Sequence, residues 1–489
     1  MYGPLAKRII VLGWPVLIAQ LAVMANGVID TIMAGHYSAR ALAVVGLGSS
    51  IYFSIFVTLM GVLIALTPIT AQHFGAGRHE AITHDVRQGL WTALLLTLIG
   101  ETLLYFPDPF LALSGMSDDI ARDVRAYLRA LMWAAPAMFL FRVFYSFSTA
   151  ISQPRAVMVI QLMGLAIKVP LNWVLMYGAA AVPGFGSVPL FGSIPALGGI
   201  GCAWALAVEA WLMFGVAVAW VRLAPVFHRY RIFARPEPID WRTQWQIIRL
   251  GLPIGGAFLI DVTSYTFMAL FIARLGEAHS AAQQIAANLG ALAYMVPLAI
   301  STASAVVVGQ LIGAGDLLRA RAAGWTGIAI GLAAALCVAL LIFLFHQPIA
   351  RLYTRDANVA LLAAPLIVMA AVFHIFDATN AVAANITRAY KKALVPMIAF
   401  ALALWVVGLG GGYWLAFGNT AGNTAGKIAG QTAGAPPLGA LGFWIGAIAG
   451  MALAAAICTA YFAVVARNAF GGPGLSARLR ANTPAPAIR

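Results

Sequence analysis

Seven ionisable side chains other than histidine interrupt otherwise apolar runs of this chain: Asp30, Glu101, Arg142, Lys168, Glu209, Asp261 and Asp377. Each costs about 2.5 to 3.5 kcal/mol at the centre of a membrane helix, so a neutral residue would be cheaper wherever function is silent. Glu101 lies about five residues from an aqueous end of its run and can reach the interface, which makes it a structural acid. Lys168 and Glu209 fit two roles, a structural ion pair or a pair of groups facing a cavity. Asp30, Asp261 and Asp377 are short acids that cannot snorkel far. The chemistry open to them is to bind and release a proton or a cation. In the stretch VMANGVIDTIMAGH at 23 to 36, Asn26 and His36 sit a turn or so from Asp30 and are expected to help solvate it.

Other chemistry is weakly represented. The sequence has no P-loop, no HExxH and no nucleophile elbow, so no enzyme is indicated, no cofactor is expected, and energy should come from an ion gradient. Cys202, Cys337 and Cys458 are odd in number and lack metal-ligand spacing, and they read as buried thiols. The triplet GGG at 410 to 412 lies in an apolar run, where glycine serves close helix packing.

The elements that must position these side chains follow from composition. With 62% hydrophobic and 9% charged residues and a mean hydropathy of +0.89, the chain lies outside the range of soluble domains. A bilayer core about 30 Å thick takes roughly 20 apolar residues to cross as a helix. Spans are read at 9 to 34, 43 to 71, 89 to 106, 127 to 151, 155 to 178, 198 to 221, 247 to 273, 281 to 312, 323 to 345, 359 to 387, 393 to 417 and 438 to 466. The first run is too long for a signal core and is expected to stay in the protein.

The net charge of +14 follows the spans rather than marking a nucleic-acid partner. About two thirds of the 30 Lys and Arg residues fall in the segments on the side of the N-terminus, among them Lys7, Arg8, Arg229, Arg231, Arg235, Lys391 and Lys392. Both termini are therefore expected to be cytoplasmic, with the basic residues facing anionic lipid.

The chain repeats itself. LGWP at 12 to 15 recurs as LGLP at 250 to 253, and QHFGAG at 72 to 77 as QLIGAG at 310 to 315, both at a shift of 238. PALGGIG at 195 to 201 recurs as PPLGALG at 436 to 442 at a shift of 241. The expected fold is an all-α integral membrane protein of twelve transmembrane helices, in two pseudo-symmetric six-helix bundles around a central cavity. The lobes are expected over 1–221 and 247–489, joined by a basic cytoplasmic linker at 222–246. At the shift of 238 Asp30 faces Met268 and Asp261 faces Val23, so the acids break the symmetry. FR at 141 to 142 aligns with FD at 376 to 377, which would put Arg142 in the place that Asp377 fills in the other half.

These residues carry a resemblance to the multidrug and toxic compound extrusion (MATE) family, in its NorM-type bacterial branch. Among the matching stretches are LGWPVLIAQ at 12 to 20, VIDTIMAGH at 28 to 36, TAQHFGAGR at 70 to 78, KVPLNWVLMYG at 168 to 178, AAQQIA at 281 to 286, YMVPLAIS at 294 to 301 and ITRAYKKALVPM at 386 to 397. The resemblance implies a monomeric antiporter of the bacterial inner membrane, exporting amphipathic cationic drugs in exchange for sodium ions or protons. It implies coupling at Asp30, Asp261 and Asp377, with a sodium ion possible at the last two, and a substrate cavity including Asn172, Gln284, Tyr294 and Arg142. Asp261 stands where the branch more often has glutamate. The low-complexity runs at 182 to 199 and 419 to 434 depart from the family and read as linkers. The alternative is a flippase for lipid-linked saccharides, which shares the two-lobe plan but would need several cavity cations.

Overall fold

The computed structural model describes residues 2–112, 117–178, 195–235, 237–418 and 438–471; the run at 419 to 434 and most of that at 182 to 199 lie outside them. Every apolar run becomes a helix, as it must where lipid offers the backbone no hydrogen bonds, and the described residues include no strand. The first half comprises α1 (Tyr2–Tyr37), α2 (Ala39–Ile64) continued by α3 (Leu66–Gly75), α4 (His79–Tyr105), the short α5 (Asp108–Ala112), α6 (Asp118–Met132), α7 (Ala135–Ala150), α8 (Pro154–Tyr177) and α9 (Gly199–Leu223). One turn, α10 (Pro225–His228), lies in the linker. The second half comprises α11 (Trp241–Ala273), α12 (Glu277–Gly313), α13 (Leu317–Tyr353), α14 (Ala357–Ala389), α15 (Leu394–Ala401), a π-helical stretch Leu402–Gly410, α16 (Gly411–Phe417) and α17 (Ala440–Gly471).

Among the described residues ten helical segments, α2 with α3 counted as one, are long and apolar enough to cross a membrane, and α6 with α7, bent by 45°, makes an eleventh. The remaining rod is α4, 27 residues long, whose Glu80, Asp85, Arg87 and Glu101 dilute its apolar character.

The duplication is visible in the helix starts. Ala39 and Glu277, and likewise His79 and Leu317, are 238 apart; Asp118 and Ala357 are 239 apart, Pro154 and Leu394 240, Gly199 and Ala440 241. This register corrects the FR/FD alignment. An offset of 239 puts Arg142 level with Ala381 and Asp377 level with Met138. A two-residue match was too short to fix the frame across the bend between α6 and α7, where α14 is continuous.

The two halves seal against each other at the face where α1 starts and α9 and α17 end, called here the terminal face. Leu5, Ile9 and Leu12 of α1 join a core with Val306, Val307 and Val308 of α12, while Ile247, Leu250 and Ile254 of α11 join the core of the first half. Each half thus lends the start of its leading helix to the other. Gln72 donates to the Ala389 carbonyl at 2.7 Å and its repeat partner Gln310 donates to the Ala150 carbonyl at 2.6 Å, with Arg8 bonded to Gln310 as well. Gly75 and Gly313 lie so close to the Gln310 and Gln72 carbonyls that a Cβ would stand 1.8 and 1.9 Å from those oxygens. In the second half Gly412 packs in the same way on Phe443, whereas Gly411 has open space where a Cβ would go.

The linker is strapped to the polar start of α4. Arg87 donates to the Ile232 and Arg231 carbonyls, both at 2.8 Å, and pairs with Glu237. His84 bonds Glu237 at 2.8 Å and Asp240 at 3.3 Å. Against a burial that pushes the other way, the hydrogen bonds from His84 and Arg87 hold the Glu237 carboxyl below its ordinary range.

Candidate functional site

In the first half, three helices bring five polar side chains into one buried cluster. Asn26 and Asp30 are four residues apart on α1, and Lys168 and Asn172 four apart on α8, so each pair shares a helix face; Glu209 comes from α9. Lys168 Nζ lies 3.2 Å from Asp30 Oδ2 and 3.7 Å from Glu209 Oε2. Asn172 donates to Asp30 Oδ1 at 2.6 Å and Asn26 to Glu209 Oε1 at 2.7 Å. Each carboxylate therefore has one oxygen fixed by an asparagine amide and the other turned to the ammonium. The Lys168 side chain is 0% exposed and that of Glu209 1%, while Asp30 retains 14% and is the member that opens outward. Gly164 makes room for the acid, since a Cβ there would lie 2.9 Å from Glu209 Oε1.

The second half is different in charge. Asp261 on α11 and Asp377 on α14 are half-buried and lie within electrostatic range of each other. The tyrosines Tyr265, one turn along from Asp261, and Tyr294 on α12 sit in the field of both. Among the described residues neither aspartate forms a salt bridge; Arg388, on the same helix as Asp377, bonds Asn385 at 3.0 Å instead. The pair thus sets two carboxyls among tyrosines, with no salt-bridge partner among the described residues.

Comparison with known proteins agrees with this two-part geometry. The MatE family model matches residues 15–174 and 253–414, one block in each half. The chain belongs to the MatE family. It is 38% identical over 413 residues to a protein of Aromatoleum aromaticum named "Probable multidrug resistance protein NorM", covering 84% of this chain and 87% of that one. Multidrug resistance protein MdtK of Edwardsiella ictaluri is 34% identical over 451 residues, or 92% and 93% of the two chains. Among solved structures, the eukaryotic MATE transporter AtDTX14 superposes with a TM-score of 0.81 at 19% identity, covering 96% and 98% of the two chains. An outward-facing multidrug resistance MATE transporter gives 0.82 at 18% identity over 96% and 97%. At these identities the structures establish the fold.

Within this MatE chain, the expected site residues fall into two groups. Asp30 and Asn172 meet in the first half, and Asp261, Asp377 and Tyr294 gather in the second. Arg142 joins neither; its guanidinium stacks on the Tyr145 ring at 4.4 Å. Gln284 is exposed, and its neighbour Gln283 is the buried one, accepting from Trp444 Nε1 at 2.7 Å. The expected solvation of Asp30 is corrected. Asn26 serves Glu209, and His36 bonds the Ile32 carbonyl of its own helix at 2.8 Å. Asp30 is held by Lys168 and Asn172, and Lys168 and Glu209 resolve as a buried ion pair. Their signal lay in the four-residue spacings on α1 and α8. Of the three cysteines, Cys202 and Cys458 are buried but Cys337 is exposed, which corrects the expectation for that thiol.

Proposed function

We propose that the chain is a multidrug efflux antiporter, exporting organic cations and other amphipathic drugs by alternating access in exchange for sodium ions or protons. The observation that carries this reading is the pair Asp261 and Asp377, held in electrostatic range inside a membrane bundle with no salt-bridge partner among the described residues. Such a pair favours either a bound cation or a proton, and losing one to admit the other is the exchange that an antiporter performs. Tyr265 and Tyr294 add ring faces suited to a cationic drug. The seal at the terminal face supplies one closed gate, and parting of the two halves there is the movement that alternating access requires. The basic residues of that face support a cytoplasmic orientation for it in a bacterial inner membrane.

The flippase alternative is not favoured. It would need free cavity cations, and Lys168 is already paired with two acids while Arg142 stacks on a tyrosine. The relatives that span most of the chain are named for multidrug resistance. The test is efflux of a fluorescent organic cation from vesicles holding the purified chain, with sodium and proton gradients imposed separately. Accumulation opposed by at least one gradient is expected. Indifference to both would refute ion-driven antiport.

A further inference from the structure

In the first half, two carboxylates, one ammonium and two asparagines form a cage whose geometry differs from that of the second-half pair. Asp30 and Glu209 each keep one oxygen for an asparagine amide and present the other to Lys168 Nζ, at 3.2 and 3.7 Å. Asn26 Oδ1 and Asn172 Oδ1 are buried and have no hydrogen-bond partner. These oxygens are the donor set that a monovalent metal ion would require, and an ammonium borne by α8 stands between the two carboxylates. We propose that Lys168 is a tethered cation filling the metal position of the first-half acid site, so that this half exchanges a proton and not sodium. The proposal deepens the antiporter reading and rests on it for its role in transport.

Charge count and access both support it. Two carboxylates against one ammonium leave one negative charge in excess, which a proton neutralises without needing room. A sodium ion would need the two carboxylate oxygens already turned on Lys168, whose stem is wholly buried and has nowhere aqueous to withdraw its charge. Asp30, the partly exposed member, is the point at which a proton can enter from water. The other titratable groups packed around the cluster are uncharged in their ordinary forms. Tyr127 of α6 and Cys202 of α9 lie in the field of Asp30, the Cys202 thiol donating to Met176 Sδ at 3.1 Å, and Tyr52 of α2 lies beyond Tyr127.

The experiment uses the purified full chain without drug, so that its failure is distinct from failure of the transport reading. Asp261→Asn with Asp377→Asn isolates the first half. In that background radioactive sodium should show no saturable binding, while a pH jump should give proton uptake that disappears when Asp30→Asn and Glu209→Gln are added. Adding Lys168→Met should create saturable sodium binding that releases protons and is abolished by Asp30→Asn. Lys168→Arg should remain blind to sodium. If Lys168→Met does not fold, Lys168→Met with Glu209→Gln removes one charge of each sign and carries the same expectation. Sodium binding with Lys168 intact that is lost on Asp30→Asn would overturn the proposal. So would a folded Lys168→Met protein, or its Glu209→Gln companion, that gains no sodium binding.

Discussion

The paired glycines at the terminal face offer the sharpest test of how the transporter closes. A methyl group at Gly75 would lie 1.8 Å from the Gln310 carbonyl oxygen and one at Gly313 1.9 Å from that of Gln72, whereas real Cβ atoms keep at least 3.0 Å. The obstacle is backbone on both sides, so no side chain can swing away. In Gly75→Ala or Gly313→Ala the helices α3 and α12 must part by more than an ångström, which also stretches the Gln72 and Gln310 bonds across the seal. Overpacking of this kind costs about 1 to 3 kcal/mol. Set against the closed state alone, that shifts the balance between closed and open terminal faces by roughly 5- to 150-fold. Amide hydrogen exchange over residues 66–77 and 305–315 should rise in both variants, and drug efflux should slow because the closed state is reached less often. Gly215→Ala and Gly290→Ala, which meet nothing within 4 Å, serve as controls for glycine replacement in a helix. The two sites contact each other's partners, so the double variant should cost less than the sum. If either alanine variant shows exchange and efflux indistinguishable from the controls, the interlock is not the gate.

Three further outcomes are expected. Asp30→Asn keeps nearly the same volume and leaves Glu209 to partner Lys168, so the protein should fold with a loss of stability below the about 3 to 5 kcal/mol of a fully broken buried pair, yet efflux should fall; undiminished efflux at normal expression would show that Asp30 is only a tolerated acid. Asp377→Asn should weaken the dependence of efflux on the driving ion by roughly tenfold, the equivalent of about 1.4 kcal/mol, while Asp261→Glu should retain transport with a shifted ion dependence; an intact coupling ratio in the double Asp261→Asn, Asp377→Asn protein would move coupling to the first half. The strap between the linker and α4 should depend on pH. Burial lowers the His84 pKa, but hydrogen bonds to Glu237 and Asp240 outweigh it and raise it above 6.5, so its contribution is complete below the unfolded value and is lost as pH rises through the folded one. Glu237, depressed, keeps its contribution until pH falls through its folded value, so the protection of amides over 229–235 and 237–240 against exchange, corrected for the intrinsic rate, should be greatest between the two folded values and fall as pH rises through that of His84, and His84→Gln should flatten that fall.

Fold and site were legible in the sequence to different degrees, for a physical reason. A span announces itself in one segment, because lipid demands a continuous apolar run, and a duplication announces itself as a constant shift; both properties are local or additive along the chain. The 238-residue shift read from QHFGAG and QLIGAG reappears in the starts of α2, α4, α12 and α13. Ion pairing is a property of three helices at once. Asp30 looked like an isolated acid because its partners Lys168 and Asn172 lie 138 and 142 residues further along the chain, and only the packing of α1 against α8 joins them. At Arg142 the repeat frame broke at the bend between α6 and α7, which Pro136 in the first turn of α7 marks and a two-residue match passed over.

The contrast between the symmetric seal and the asymmetric acids carries the mechanism furthest. Gln72 and Gln310, with Gly75 and Gly313, are equivalent under the repeat, and both halves use them alike to close one face. A gate built from equivalent halves needs no chemical difference between them. The charges are not equivalent: the first half balances two acids with Lys168, and the second leaves Asp261 and Asp377 without a salt bridge among the described residues. Binding of a cation or proton therefore relieves more repulsion in the second half, where no ammonium offsets the two acids, than in the first, whose lysine already does so. A rocking motion shared equally by two lobes would then be biased chiefly from one of them. Exchanging the patterns tests this directly: Lys168→Met and Met268→Lys, which remove the cation from the first half and give one to the second, should change which half governs ion dependence while leaving the glycine seal and its hydrogen exchange untouched. If ion dependence still follows Asp261 and Asp377 alone in that protein, the location of the acids on α11 and α14, and not the balance of charge between halves, sets the bias.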